Sequence, residues 1–376
     1  MDSMEQSQKK EPIPSPVVLD DGWTPRRRFE VALRGEMPDR IPAVVWNNKL
    51  PGDETDQALL DAGVCIVFKS SLYDIELEGI QVETERWLGE DGVPRERTVY
   101  HTPAGDLQKL DVIYPDTVWN QELPFRGIKD YDALIALVES QRFIPRYERF
   151  LEDDAFYGSS GIARPATEAT PMLDILYRML GVETFALEWF DHRDHVIALY
   201  QAILEARRRR LPLLAESPAM FIIAEANISF EIVGPKRFRE FYMPAIEEAC
   251  DVLHAAGKLV GAHLDSNNRR LAPQVAQLPI DFVESFTPPP DCDLSVREAR
   301  AAWPGKTLYC NFPSSIHHDG PEAVRAATKQ ILAEAAPGAG FLMGVLEQVP
   351  RNDTMITLAE AIWEFGQTPL QGDSAQ

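Results

Sequence analysis

The chain has 376 residues, 45% of them hydrophobic and 26% charged, which excludes disordered and fibrous classes and leaves enough apolar mass for a large core. Its 59 Asp and Glu against 37 Lys and Arg give a formal charge of −22. Such a surface repels phosphate backbones and anionic lipid, so neither nucleic acid nor a membrane is an expected partner. No run approaches the roughly 20 apolar residues of a spanning helix, and the N-terminus lacks the apolar core of a secretion signal, so the expected location is cytoplasmic. Cys65, Cys250, Cys292 and Cys310 form no CxxC pair, which argues against a disulfide framework or a thiolate cluster.

Residues 1–24 are polar and proline-rich and read as a disordered tail, followed by one domain over 25–370. Short apolar runs over 40–46 and 64–70 read as strands. The stretch 85–125 alternates with period two around Pro103-Ala104-Gly105 and predicts an inserted antiparallel hairpin. A third strand is read over 154–161. His192 and His195, three apart with acidic neighbours, read as surface residues. The arginine run Arg207–Arg210 reads as a solvated helix face. Five strand–helix pairs then follow, their strands at 219–227, 258–265, 281–287, 307–313 and 340–347. Eight strands alternating with amphipathic segments predict a (β/α)8 TIM barrel. A doubly wound sheet would carry a Gly-rich phosphate loop after its first strand, and none is present.

In such a barrel the chemistry sits at the C-terminal ends of the strands. The polar residues closing the runs are Trp46, Asn47 and Asn48; Lys69 and Tyr73; Ser159 and Ser160; Glu225 and Asn227; His263 and Asp265; Glu284; Asn311; and Glu347. His263 and Asp265 lie i,i+2 on a strand and project to one side. With Glu347 closing the last strand they offer one nitrogen and two oxygen donors, the set of a catalytic metal centre with an open position. The competing reading is that Asp265 only orients His263 or caps a helix beginning near Asn267. Glu225 and Glu284 are the candidate acid and base. Trp46, Asn47, Lys69, Tyr73, Asn227 and Asn311 are the candidate substrate-binding residues. His317-His318 sits in a loop, its role open between substrate binding and none.

The run Arg28-x-x-x-Ala32-Leu33-Arg34-Gly35-Glu36-x-Pro38-Asp39-Arg40-Ile41-Pro42 resembles the opening of the uroporphyrinogen decarboxylase superfamily. The likeness continues through Gly257-Lys258, His263, Phe286-Thr287-Pro288-Pro289-Pro290, Asp293-Leu294, Asn311-Phe312-Pro313 and Gly344-x-x-Glu347-x-x-Pro350. It implies a (β/α)8 barrel and one of two chemistries. The decarboxylases bind a poly-carboxylated tetrapyrrole with an arginine-rich N-terminal segment, whereas residues 43–50 here contain no arginine. The corrinoid and coenzyme M methyltransferases hold zinc with a His-x-Cys pair and a later Cys. Here His263 is kept, while Asp265 and Glu347 stand where those cysteines would fall. Carboxylates in place of thiolates imply a harder, more Lewis-acidic metal site.

The expected function is therefore metal-dependent transfer or removal of a methyl group of a small oxygenated substrate. The expected cofactor is a divalent metal, zinc by resemblance; a corrinoid or folate carrier is the expected methyl acceptor, a corrinoid carrier protein an expected partner, and a homodimer the expected assembly. The alternatives are a decarboxylase or lyase of a small carboxylated compound, and a non-catalytic barrel that binds a ligand or partner.

Overall fold

The computed structural model describes residues 22–114, 117–166, 168–225 and 227–372. The tail expected over 1–24 falls almost wholly outside them. Eight parallel strands carry the fold: β1 Ala43–Trp46, β2 Cys65–Ser70, β3 Gly161–Pro165, β4 Phe221–Ile223, β5 Leu259–His263, β6 Phe282–Phe286, β7 Thr307–Asn311 and β8 Phe341–Val345. They form one sheet in the order β4-β5-β6-β7-β8-β1-β2-β3. Chain-ordered parallel neighbours with helices between them are the topology of a (β/α)8 barrel, in agreement with the sequence. Strands β6, β7 and β8 are buried at every position. Burial on both faces is why they read as continuous apolar runs rather than alternating ones.

By its contacts the chain divides into two compact units. The first comprises the residues up to Ser70, Glu148–Pro165 and Asp281 onward, and it holds β1, β2, β3, β6, β7 and β8. Its opening helix Pro25–Leu33 starts at Thr24, whose hydroxyl accepts from the N–H of Arg27 at 3.1 Å, with Pro25 at the first helical position; both are strong start signals. Buried Phe29, Ala32 and Leu33 form its inner face, and Phe29 meets Tyr309 edge-on at 5.6 Å. Arg28 reaches back to Asp39 with two bonds of 2.8 and 2.7 Å, so the opening motif is a brace that ties this helix to the chain entering β1. Val44 of β1 pairs with Gly344 of β8, and a Cβ at Gly344 would lie 1.7 Å from the Val44 carbonyl oxygen. Only glycine permits that approach.

The second unit, Ser71–Tyr147 with Ala166–Ile280, holds β4, β5 and the insertion. The expected hairpin is a four-stranded antiparallel meander, Gln81–Leu88, Pro94–Thr102, Gly105–Ile113 and Val118–Glu122. Its middle turn does fall at Pro103-Ala104, between paired Thr102 and Gly105. The first strand is exposed throughout, and Glu83, Glu85 and Arg86 on it discourage edge-to-edge pairing.

Two readings are corrected. Residues 154–161 are not a strand: helix Tyr147–Tyr157 and a 3-10 turn Gly158–Ser160 precede β3, so Ser159 and Ser160 lie before the strand, at the end opposite to a catalytic face. The arginine run is not a solvated face. Arg208 and Arg209 are exposed, but Arg207 is buried and donates to the carbonyls of Ala224, at 2.9 Å, and Ala245. Arg210 pairs with Glu168 at 2.8 Å. Two buried guanidiniums with partners thus fix the long helix Arg193–Glu216 to β4 and to the loop after β3.

Candidate functional site

In the second unit the C-terminal end of β5 delivers His263 and Asp265. The strand ends at His263, whose N–H donates to the Glu225 carbonyl at 2.9 Å, and the chain then turns so that the Asp265 carboxylate comes back to 3.3 Å from the imidazole Nε2. His263 is buried and Asp265 half-exposed. The helix expected near Asn267 is reduced to Ala272–Val275, so Asp265 caps no helix. Glu225 follows β4 and is fully buried; its Oε1 accepts from the N–H of Thr170 at 3.5 Å. Asn227 is exposed and holds a left-handed φ of 47°, a cost that clusters at functional turns. Tyr73 donates its hydroxyl to Glu168 at 2.8 Å. Burial, and then the Glu168 charge, push its phenol well above the ordinary range, so Tyr73 acts here as a neutral donor. Arg210 stacks between the rings of Tyr73 and Phe143 at 5.7 and 5.3 Å.

The first unit holds a second polar group. Arg164 of β3 grips Glu284 of β6 through two bonds of 2.7 Å, with both side chains buried. Burial is the largest single influence and would lower the Arg164 pKa, but the charge and hydrogen bonds of Glu284, with a smaller contribution from Tyr309, together outweigh it and the net shift is upward. The guanidinium lies 4.8 Å from the centre of the Trp46 ring, and Trp46 Nε1–H donates to the Tyr309 hydroxyl at 3.2 Å. With both oxygens engaged, Glu284 is a fixed counter-charge rather than the mobile acid or base expected of it. Sequence reading passed over Arg164 because its strand was placed too early. Next to Glu284, Ser285 has φ 60° at a register shift between β6 and β7, a bulge that re-aims the side chains on either side of it.

Asn311, expected to touch substrate, is buried and staples strand ends together: its amide donates to Thr287 Oγ1 at 3.3 Å and its oxygen accepts from the N–H of Leu346 at 3.0 Å. Glu347 follows β8 and accepts from the Ser314 hydroxyl at 2.7 Å. Asn47 is half-buried at the start of a 3-10 turn, and Lys69 is exposed on β2. His317 is fully buried with Nδ1 2.7 Å from Thr354 Oγ1, while His318 is exposed. His192 lies 3.0 Å from Glu188, and His195 stacks on Tyr131. A groove of about 770 Å³ lined by Pro25, Arg28, Ala58 and Trp363 contains none of the expected site residues.

Among the described residues, no group of three His, Cys, Asp or Glu side chains is gathered as a metal site. The donor chemistry of His263 and Asp265 does fit a borderline divalent cation, with a nitrogen and an oxygen at a separation one ion can span.

Residues 173–352 match the family model of Uroporphyrinogen decarboxylase (URO-D). No curated protein matches the chain by sequence. Among solved structures, a methyltransferase from Methanosarcina mazei is similar with a TM-score of 0.55 at 14% identity, over 91% of this chain and 99% of that one. A protein assigned as a vitamin-B12-independent methionine synthase from Listeria monocytogenes aligns with a TM-score of 0.39 at 13% identity, over 57% of this chain and 67% of that one. The family match, carried by the segment that holds β4 to β8, makes that part of the chain similar to the URO-D family, and the Methanosarcina structure shares its barrel fold.

Proposed function

We propose that the protein is an enzyme that transfers or removes a methyl group of a small oxygenated substrate, with His263 and Asp265 holding a divalent metal, zinc in the first instance. The observation that carries this reading is the His263–Asp265 contact of 3.3 Å at the end of β5. A barrel strand end is where this fold concentrates chemistry, and the pair stands where the resembling methyltransferases place a zinc-binding His-x-Cys. The URO-D match supports the superfamily, and the likeness to a Methanosarcina methyltransferase agrees with the choice of reaction. Glu347 is proposed as the third ligand on its sequence position alone, since no group of three donors is gathered among the described residues.

Bound there, the metal would supply Lewis acidity toward a substrate oxygen. The chain's own groups have separate tasks. His263 Nε2 and Asp265 Oδ2, 3.3 Å apart, would be the two ligand atoms once the proton between them is displaced. Glu225, buried next to that strand end, is the group placed to hold or deliver a proton at its carboxyl oxygen. Trp46 offers an aromatic wall stiffened by Arg164 and Tyr309. Asn47, Lys69 and Asn227 are proposed for substrate polar groups, while Tyr73 and Asn311 serve by fixing the loops that carry them. A reduced corrinoid or a tetrahydrofolate is the proposed methyl acceptor.

A product assay tests the reading. With small aryl methyl ethers or methoxylated carboxylates as substrates and each acceptor in turn, wild type is expected to form methylated acceptor, and His263→Ala to lose at least 100-fold in rate, about 2.7 kcal/mol of transition-state stabilisation. Carbon dioxide without methylated acceptor would replace the reading with a decarboxylase. Turnover of nothing, with ligand still bound, would replace it with a binding barrel.

A further inference from the structure

The chain leaving β5 has no regular hydrogen-bond ladder to hold it, yet Asp265 sits in that stretch and must point back at His263. Asn268 supplies what the ladder does not. It is 1% exposed, and its Nδ2 donates to the carbonyls of Leu264, at 3.0 Å, and Ser266, at 2.7 Å. These are the two residues that flank Asp265, so both amide hydrogens of one buried side chain clamp the backbone on either side of the carboxylate. The Ser266 hydroxyl in turn donates to the Ile228 carbonyl and ties the loop to the one that follows β4. An amide that spends both hydrogens on its own loop fixes a local geometry that an apolar residue of equal size would leave free.

We infer that Asn268 is the positioning residue of the candidate site, the side chain that sets the Asp265 carboxylate against the His263 imidazole. The inference rests on the proposed function for its purpose, though the contact itself requires no metal. Groups that orient metal ligands commonly govern affinity by 10- to 100-fold, and that is the size of effect expected here.

The test uses the full chain with Asn268→Leu, which keeps the volume and removes both donors, and Asn268→Ala. Asn267→Ala at the exposed neighbour is the control. Crystal structures of the chelator-treated proteins are expected to show the His263 Nε2–Asp265 Oδ2 separation opening beyond about 4 Å in both Asn268 variants and staying near 3.3 Å in wild type and the control. Zinc titration against a chromophoric chelator is expected to show an affinity loss of about 10-fold or more in the same two variants, and the cobalt-substituted absorption spectrum to change with it. A retained contact in Asn268→Leu overturns the inference whatever zinc does, as does wild-type zinc affinity in both variants. If wild type takes up no zinc, the metal reading fails and the contact alone decides the role of Asn268.

Discussion

At the scale of the residue, His317 shows how burial converts a single proton into stability. The Thr354 hydroxyl spends its hydrogen on the Arg351 carbonyl at 2.6 Å. It can therefore only accept from His317, which puts a hydrogen on Nδ1. Nε2 is buried without a hydrogen-bond partner, and Phe312 packs edge-on at 5.2 Å. Burial is the main cause that lowers the imidazole pKa from 6.5 to about 4. Between those values the unfolded chain binds a proton that the folded chain refuses. The stabilisation is therefore complete above pH 6.5 and is lost as the pH falls toward 4, by about 3 kcal/mol at 1.36 kcal/mol per unit. In urea unfolding at pH 7 and at pH 4.5, His317→Leu is expected to lose less stability on acidification than wild type, by about 2 kcal/mol. Parallel losses in the two proteins would show that His317 does not titrate in this way.

At the scale of the element, the Arg164–Glu284 bridge joins β3 to β6, strands that are not neighbours in the sheet order. Removing one partner leaves a charge without water or counter-ion, so Glu284→Gln is expected to cost about 3 kcal/mol or more in urea unfolding. The double change Arg164→Met with Glu284→Leu removes both charges and is expected to recover most of that loss. A single-variant cost below about 1 kcal/mol would mean the bridge is not desolvated as described.

The same scale shows what was legible in the sequence. Strands β1, β2 and β5 to β8 announce themselves as apolar runs because both their faces are buried. Strand β3 does not, because Gly161–Pro165 holds an arginine and ends in proline, while the aromatic stretch before it belongs to a helix. Arg207 and Arg210 look like solvent-facing charge until their partners, two backbone carbonyls and Glu168, are known, and these come from distant parts of the chain. Asn268 was missed for a related reason: its role is to bond its own backbone, and nothing in Asp-Ser-Asn-Asn distinguishes a clamp from an ordinary loop.

At the scale of the whole molecule, eight parallel strands form the sheet and the loops after them supply the polar side chains, the division of labour that lets one barrel fold serve many reactions. The proposed site rests on carboxylates where the resembling methyltransferases carry cysteines, with Asp265 at contact distance from His263 and Glu347 bonded by Ser314. The account therefore stands on a cation. Elemental analysis by mass spectrometry of protein purified without chelators, comparing wild type with His263→Ala, Asp265→Asn and Glu347→Gln, addresses it directly. About one divalent metal per chain in wild type, falling to a small fraction in His263→Ala and Asp265→Asn and reduced in Glu347→Gln, is the predicted result. Wild type carrying no more metal than these variants would contradict it.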